Sequence, residues 1–551
     1  MSSFVGSIGG ILNTGRQGIF VNQIALRVTG QNIANVNTPG YTRQRPIFDP
    51  SAFGNGVSVR TIQQLRFRFY DAQLSTEQQS LGSLSVKQEV MSRLEAIFNE
   101  TSGTGISTAM RDLFQSLHDL SSHPDGTAQR EAVRTRAGSL GDVFAAVRGR
   151  VEATRRDADL QSKALVTQVN GLTAQIAALN DQITRQTTSA QAPNELIDQR
   201  QRLVNELSQI VSIQTFEDGP SLTVMIAGGH PLVEGVNAAE LSTREDMANG
   251  GMSRILYHLP GGVTADITGR ISEGKIGGLL AVRDGDVVEQ LRQIDQLAAQ
   301  LMTRFNLQHR LGTGLDGVSG RDLFSQAPVW SAPGPGSTSN VGQTGSAIVD
   351  QSLLTFQDYE VRFTSATTYD LVNTTTGAAL ATGATYTPGS AIVFDGISIT
   401  LDNLAGPPLA GDVVRVNSYT GASGSLTLDP AVAGDLRALA AGLSAEPGDN
   451  RNALALAGLE SALAMGGGTA TFANFFEAAL TRLGVRSRQV TSDLEAQTLV
   501  VDQVQTLVDS LGGVSLDEES VNLIQYERAF QASARVISAV DEMMQTIIAM
   551  V

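Results

Sequence analysis

Toward the end of this 551-residue chain, Leu523, Tyr526, Phe530, Ser533, Ile537, Val540, Met544, Ile547 and Val551 recur at alternating spacings of three and four. A ladder kept up without a break puts these side chains along one edge of a single long helix. Such an edge, left bare in water, is an aggregation hazard, so it calls for a second helix. Asp517, Glu518 and Glu519 stand in the first turn, where the helix dipole favours acids, and capping and solvation account for them. The first 35 residues offer the complement. Ile8, Leu12, Ile19, Leu26 and Ile33 fit a heptad stripe whose other positions, Gly15, Asn22 and Thr29, are empty or polar. Gly9, Gly10, Gly15 and Gly18 each cost about 0.5–1 kcal/mol of helix stability relative to Ala. A helix this poor does not hold alone. The two ends of the chain are therefore expected to meet as a coiled coil, with residues 1–35 and 515–551 disordered in the isolated monomer.

Between the ends the chain reads as helical with two strand-rich interruptions. Val169, Leu172, Ile176, Leu179 and Ile183 make one helical seam, Val287 to Phe305 a second, and Val490 to Leu511 a third; helices near 75–118 and 130–160 are less regular. Ile213 to Arg270 alternates in places, as in Ser221-Leu222-Thr223-Val224-Met225-Ile226. Gln326 to Leu428 opens on the linker Ala332-Pro333-Gly334-Pro335-Gly336-Ser337 and continues with runs rich in Thr, Val and Ile, the signature of a sandwich or barrel. The expected fold is α+β and multidomain: paired terminal helices, an elongated helical bundle and inserted β-rich domains. The divisions read as 1–70 (N-terminal helix, turn and connector), 71–213, 273–325 and 431–512 (bundle), 214–272 and 326–430 (β-rich), and 513–551 (C-terminal helix).

Chemistry finds little foothold. Cysteine is absent, which removes thiol nucleophiles and sulfur-ligated zinc, and no two of the five histidines are spaced as a metal-binding pair. A net charge of −16 with 5% aromatics argues against nucleic acid. Gly269 to Ile276 imitates a P-loop except that Ile276 stands where Ser or Thr should hold magnesium; a packed strand-to-helix turn is the better reading. Gly312, Gly314 and Gly317 satisfy GxGxxG, yet they follow a helix, the wrong order for a dinucleotide site. His309 reads as a hydrogen-bonded structural histidine. No enzyme, cofactor, metal site, membrane span or cleaved signal is expected.

One local motif is sharp. Asn32-Ile-Ala-Asn35-Val-Asn37-Thr38-Pro39-Gly40-Tyr41-Thr-Arg43-Gln44 ends the first helix. Its Thr38-Pro39-Gly40-Tyr41 fits a type II turn, with Pro fixing φ and Gly accepting positive φ. This segment resembles the Asn-rich, Thr-Pro-Gly-aromatic signature of the bacterial flagellar rod, hook and hook-associated proteins. The tail, with Asn522-Leu-Ile-Gln-Tyr526 and Ala529-Phe530-Gln531-Ala532-Ser533-Ala534, is similar to their shared C-terminal helix. Tyr41-Thr-Arg-Gln, Gly277-Gly-Leu-Leu280-Ala-Val-Arg283-Asp and Phe305-Asn306-Leu-Gln308-His309 resemble the hook–filament junction branch. Family members commonly carry Ala where this chain has Gly15 and Gly18.

The resemblance implies a structural protein that copies of itself build into a tube layer, exported without a cleaved signal by the flagellar type III apparatus. It implies as partners the hook protein, the next hook-associated protein and a cytoplasmic chaperone on the C-terminal segment, and an extracellular place at the hook–filament junction after a cytoplasmic stay. The alternatives are a hook or rod protein, or a secreted carbohydrate-binding or wall-degrading protein.

Overall fold

The computed structural model describes residues 2–50, 56–99, 105–187, 193–226, 228–259, 262–338 and 340–549, with side chains from Ile8 onward. Helix α1 (Ser2–Ala34) leads through the turn at Thr38–Tyr41 into a hairpin of β1 (Gln44–Pro50) and β2 (Val57–Gln64). The body then begins with α2 (Arg68–Phe98), α3 (Ile106–Ser122), α4 (Thr127–Thr187) and α5 (Asn194–Ile210). After the first strand-rich segment come α6 (Gly274–Ala281), a π-turn at Val282–Asp286 and α7 (Val287–Arg310). The short helices α8 (Ala422–Ser425), α9 (Pro430–Gly434) and α10 (Arg451–Gly458) follow the second strand-rich segment. The chain closes with α11 (Phe472–Gly512) and α12 (Leu516–Ala549).

Helix α4 is the spine. At 1.5 Å per residue its 61 residues run about 90 Å. They unite the expected helix at 130–160 with the seam at Val169–Ile183, which carries no internal break. Its first half buries Val133, Leu140, Phe144 and Val151 in a common core with Leu297, Leu301 and Phe305 of α7 and Phe476 of α11. Its second half buries Val169, Leu172 and Ile176 against α5 and the strands from Ile213 to Asp266. Those strands form sheets of order β3-β4-β5-β6 (Ile213–Asp218, Ser221–Ile226, His230–Glu234, Asn237–Ala238) and β7-β8-β9 (Leu241–Asp246, Met252–His258, Thr264–Asp266).

Two asparagines of α4 clamp this lobe. Asn180 pairs with Leu222, accepting from its N–H at 3.2 Å and donating to its carbonyl at 2.8 Å, and Asn170 does the same with Leu241 at 2.9 and 2.8 Å. Each satisfies a backbone pair that a helix face cannot otherwise serve. Arg283, in the π-turn and 1% exposed, donates to Asp159 of α4 (2.7 Å) and to the Ser253 carbonyl (2.9 Å).

The second strand-rich segment forms one sheet of order β10-β17-β12-β13-β14 (Trp330–Pro333, Val413–Asn417, Tyr359–Ser365, Thr368–Asn373, Ala379–Thr385). A second sheet, β11-β16-β15 (Val341–Ile348, Ile397–Asn403, Ala391–Phe394), packs against it around Val361, Phe363, Ile399 and Leu401. The start of the expected linker is edge strand β10, where Pro333 is tolerated because an edge leaves one side unpaired. Asp295 of α7 fastens the base of this lobe, taking the N–H groups of Gly421 and Ser423 and the Arg148 guanidinium.

Gly274 has φ +73°, and a Cβ there would stand 2.6 Å from the Val211 backbone, so the P-loop imitation is a close-packed helix start. His309 is buried, its Nδ1 donating to the Arg321 carbonyl (2.8 Å) and its Nε2 accepting the Ala440 N–H (2.9 Å). Burial lowers its pKa and keeps it neutral. Among the described residues, no helix is long and apolar enough to cross a membrane, and no group of three or more acids and histidines could hold a metal.

Candidate functional site

The first and last helices lie antiparallel: Gly15 of α1 stands beside Ile537 of α12, Gly18 beside Ser533, and Asn32 beside Glu519. The approach is close. A methyl group on Gly15 would sit 2.9 Å from Ile537 Cγ1, and one on Gly18 would sit 2.6 Å from Ser533 Oγ. The glycines that weaken α1 as a helix are the positions that admit its partner.

The face of α1 turned to α12 is therefore offset from the expected stripe. Ile8 is buried on it, and it continues through Gly15, Gly18, Val21, Ala25, Val28, Thr29 and Asn32. Leu12 is 42% exposed, while Ile19, Leu26 and Ile33 are half-buried at its flank. Counting large apolar residues selects the flank; backbone proximity selects the small ones. On α12 the expected ladder is the protected side: Val540 is buried, and Tyr526, Phe530, Ile537 and Ile547 are half-buried. Leu523 and Met544 on the same ladder are exposed, and Val551 lies outside the described residues.

At its base the pair is fastened by a polar latch centred on Asn32, which is 1% exposed. Its Nδ2 donates to the Gln44 carbonyl (2.8 Å) and to Glu519 Oε2 (3.0 Å). Its Oδ1 accepts from the Gln44 N–H (3.1 Å) and the Tyr41 hydroxyl (2.9 Å). Glu519, 2% exposed, is also held by Arg43 Nε (2.8 Å), and Arg43 reaches Glu518 as well. The triplet Asp517-Glu518-Glu519 thus does more than cap a helix: Glu519 is one half of a buried ion pair, and a buried carboxylate needs such a partner. Burial opposes the charge on Arg43, but Glu518 and Glu519 outweigh it and raise its pKa. Burial, and then the charges of Asp198, Glu195 and Glu519, push the Tyr41 phenol up to about 12, so it stays a donor.

The rest of the motif shapes the turn and ties it to the body. Tyr41 N–H donates to the Thr38 carbonyl (3.2 Å) and Gly40 has φ +71°, as the type II reading requires. Asn35 accepts from the Thr38 hydroxyl (3.1 Å), whereas Asn37 and Pro39 are exposed. Asp198 of α5 accepts from the N–H (3.1 Å) and hydroxyl (2.8 Å) of Thr42 and from Gln64 (3.1 Å). Burial raises its carboxyl pKa against the pull of the Thr42 donors. Asn194 donates to Gln44 Oε1 and to the Ile62 carbonyl, and the Arg43 N–H donates to the Gly512 carbonyl (2.8 Å). Phe48 of the hairpin packs edge-on to Tyr526 at 6.4 Å. Glu519, Arg43, Gln44, Asp198 and Asn194 escape a reading by periodicity; the one signal was an arginine in the turn motif facing an acidic first turn 476 positions away.

Nothing in this arrangement activates a nucleophile or converges acids; it joins two chain ends to each other and to a body. Residues 91–324 match the model of the flagellar hook-associated protein FlgK helical domain. Residues 12–42 match that of the flagella basal body rod protein, and residues 512–550 that of the flagellar basal body rod FlgEFG protein C-terminal. Flagellar hook-associated protein 1 of Escherichia coli K12 is 28% identical over 98% of this chain and 99% of its own. Its counterpart in Bacillus subtilis 168 is 22% identical over 99% and 98%. The structure of the flagellar hook junction protein FlgK from Burkholderia pseudomallei shares the fold at a TM-score of 0.68 and 22% identity, covering 79% of this chain and 99% of that one. With a rod-type segment matched at each end and the hook-associated helical domain matched between them, the chain is similar to flagellar hook-associated protein 1 along nearly its whole length and is a structural protein of the bacterial flagellum.

Proposed function

We propose that this protein forms the layer joining hook to filament, copies of it assembling through the α1–α12 pair. The observation that carries this is the pair itself: two chain ends closed on each other by glycine contacts and one polar latch, with Ile11, Phe20, Val521, Ile524 and Ile548 still exposed. An edge-rich helix pair of that kind suits a head-to-tail contact that repeats into a tube. In this reading Ile8, Tyr526, Phe530, Ile537, Val540 and Ile547 close the pair itself, Leu12, Ile19, Leu26 and Ile33 on the flank of α1 and Leu523 and Met544 on α12 are left for neighbouring copies, and Asn32 to Tyr41 sets the angle of the pair. In this reading 1–70 and 513–551 are the inner domain, the bundle segments the middle, and 214–272 and 326–430 the lobes toward solvent.

Its neighbours are the hook protein and the next hook-associated protein. Before export by the flagellar type III system, a cytoplasmic chaperone covers the C-terminal segment. The role is mechanical and involves neither catalysis nor a cofactor. Complementation of a strain lacking its own junction protein tests this. The full chain restores attached filaments, and a chain ending before Met544 does not, although its strand-rich lobes stay folded. Filament growth on the shortened chain refutes it.

A further inference from the structure

Between α1 and strand β2 runs a groove of about 550 Å³, floored by Phe20, Ile24 and Val59 and rimmed by Arg16 and Arg60. Phe20 is 62% exposed in it, a large aromatic that no described residue covers. The rim charge is uncompensated along the helix: α1 carries arginines and no acid. In residues 1–70 Asp49 is the only acid, and it lies 3.8 Å from Arg60. The far end of α12 is the complement. Its last basic residue is Arg535, after which come Asp541 and Glu542 with Met543, Met544 and Ile548, all three exposed.

Within one copy the two features cannot meet. Gly18 sits beside Ser533, so the groove at Phe20 is level with the middle of α12, and Ile548 lies roughly 25 Å farther along the axis at 1.5 Å per residue. We infer that the groove receives the acidic, methionine-bearing last turns of α12 from a second copy, displaced along the helix axis by about that distance. Groove and filler are different surfaces of one chain, so the contact is heterologous and each copy seated leaves a new groove open. Methionine, flexible and polarisable, fills an irregular apolar groove well, while Arg60 on β2 fixes polarity against Asp541 and Glu542. This inference rests on the self-assembly proposed above and names its partner surface.

The chain has no cysteine, which makes a cross-linking test clean. A full-length chain carrying both Ser58→Cys and Met543→Cys is expressed in cells lacking their own junction protein, oxidised on assembled flagella and run without reductant. A ladder of covalent multimers is expected, against at most a dimer from either single substitution. Independently, Arg60→Glu is expected to lower the multimer yield roughly fivefold, and Glu542→Arg in the same chain to restore it. Attached filaments with no ladder overturn the inference, as does cross-linking of the groove cysteine to a different protein. If the double-cysteine chain fails to assemble, the charge pair decides in the cysteine-free chain, read as the fraction of cells with attached filaments: no loss with Arg60→Glu, or no rescue by Glu542→Arg, overturns it equally. Failure of the unsubstituted chain to support filaments sinks the assembly reading instead, so the two failures are told apart.

Discussion

In the body, Phe144 of α4, Phe305 of α7 and Phe476 of α11 meet in one core at 2% exposure or less. Along α12 only Glu519 and Val540 are buried to that degree among the described residues. Both regions are long helices laid side by side, but the body has several layers around each apolar side chain and the terminal pair has one. A helix in a bundle is covered from several directions; a helix in a lone pair is covered along a single edge, and its remaining apolar residues face water. The body therefore carries a packed core of its own, whereas the pair relies on one seam of small and apolar residues, Gly15, Gly18, Val21, Ala25 and Val28 on α1, and on the Asn32 latch. That is the composition the proposed assembly with other copies calls for.

The sharpest way to break this contrast is to damage the body. Phe305→Ala should cost about 3–5 kcal/mol, the usual penalty for a large buried aromatic. Thermal melting would show it as a marked drop in Tm, while a comparable truncation at Ile547 leaves that transition in place. Hydrogen exchange on the monomer tests the other side. Local stability lower by about 3 kcal/mol in α1 and α12 means amides there exchange roughly a hundredfold faster than in α4. Protection of 8–34 and 516–549 equal to that of α4 would dissolve the distinction, and the expected disorder of the isolated ends with it.

The legibility of the molecule follows the same division. The α12 ladder was plain in the sequence because Tyr526, Phe530, Ile537 and Val540 are large and regularly spaced, and a helix edge is a local property. The face of α1 was displaced because its partner side is made of Gly15, Gly18 and Ala25, which no count of apolar residues selects. The type II turn at Pro39-Gly40 was legible because its geometry is set by two residues. The latch was not: Asn32, Arg43 and Glu519 become one site only when the chain ends meet, and no spacing encodes a pairing across 487 positions. Likewise α4 read as two pieces, since its burying face changes partner from the α7 core to the strand lobe midway.

Two smaller substitutions sharpen the picture of the pair itself. Asn32→Ala removes the group that serves Glu519, the Gln44 backbone and the Tyr41 hydroxyl together, leaving buried polar atoms unpaired. A loss of about 2 kcal/mol is expected, read as roughly thirtyfold faster exchange in α1 and α12 with the body's melting unchanged. Asn32→Asp should be worse, since it sets a second carboxylate against Glu519.

Gly18→Ala isolates the balance at the point of closest approach. The added methyl gains up to about 1 kcal/mol of helix propensity but meets Ser533 Oγ at 2.6 Å and Ser533 Cβ at 3.2 Å. The hydroxyl can turn away; the Cβ can give only by a few tenths of an ångström. Gain and crowding nearly cancel, so assembly and exchange should change less than threefold, within about 0.6 kcal/mol. Gly18→Leu cannot be absorbed by a rotamer of Ser533 and should part the helices. If alanine proves as disruptive as leucine, contact at Gly18 is tighter than a side-chain rotation can relieve; if leucine is tolerated, the pair is not held by backbone proximity at all.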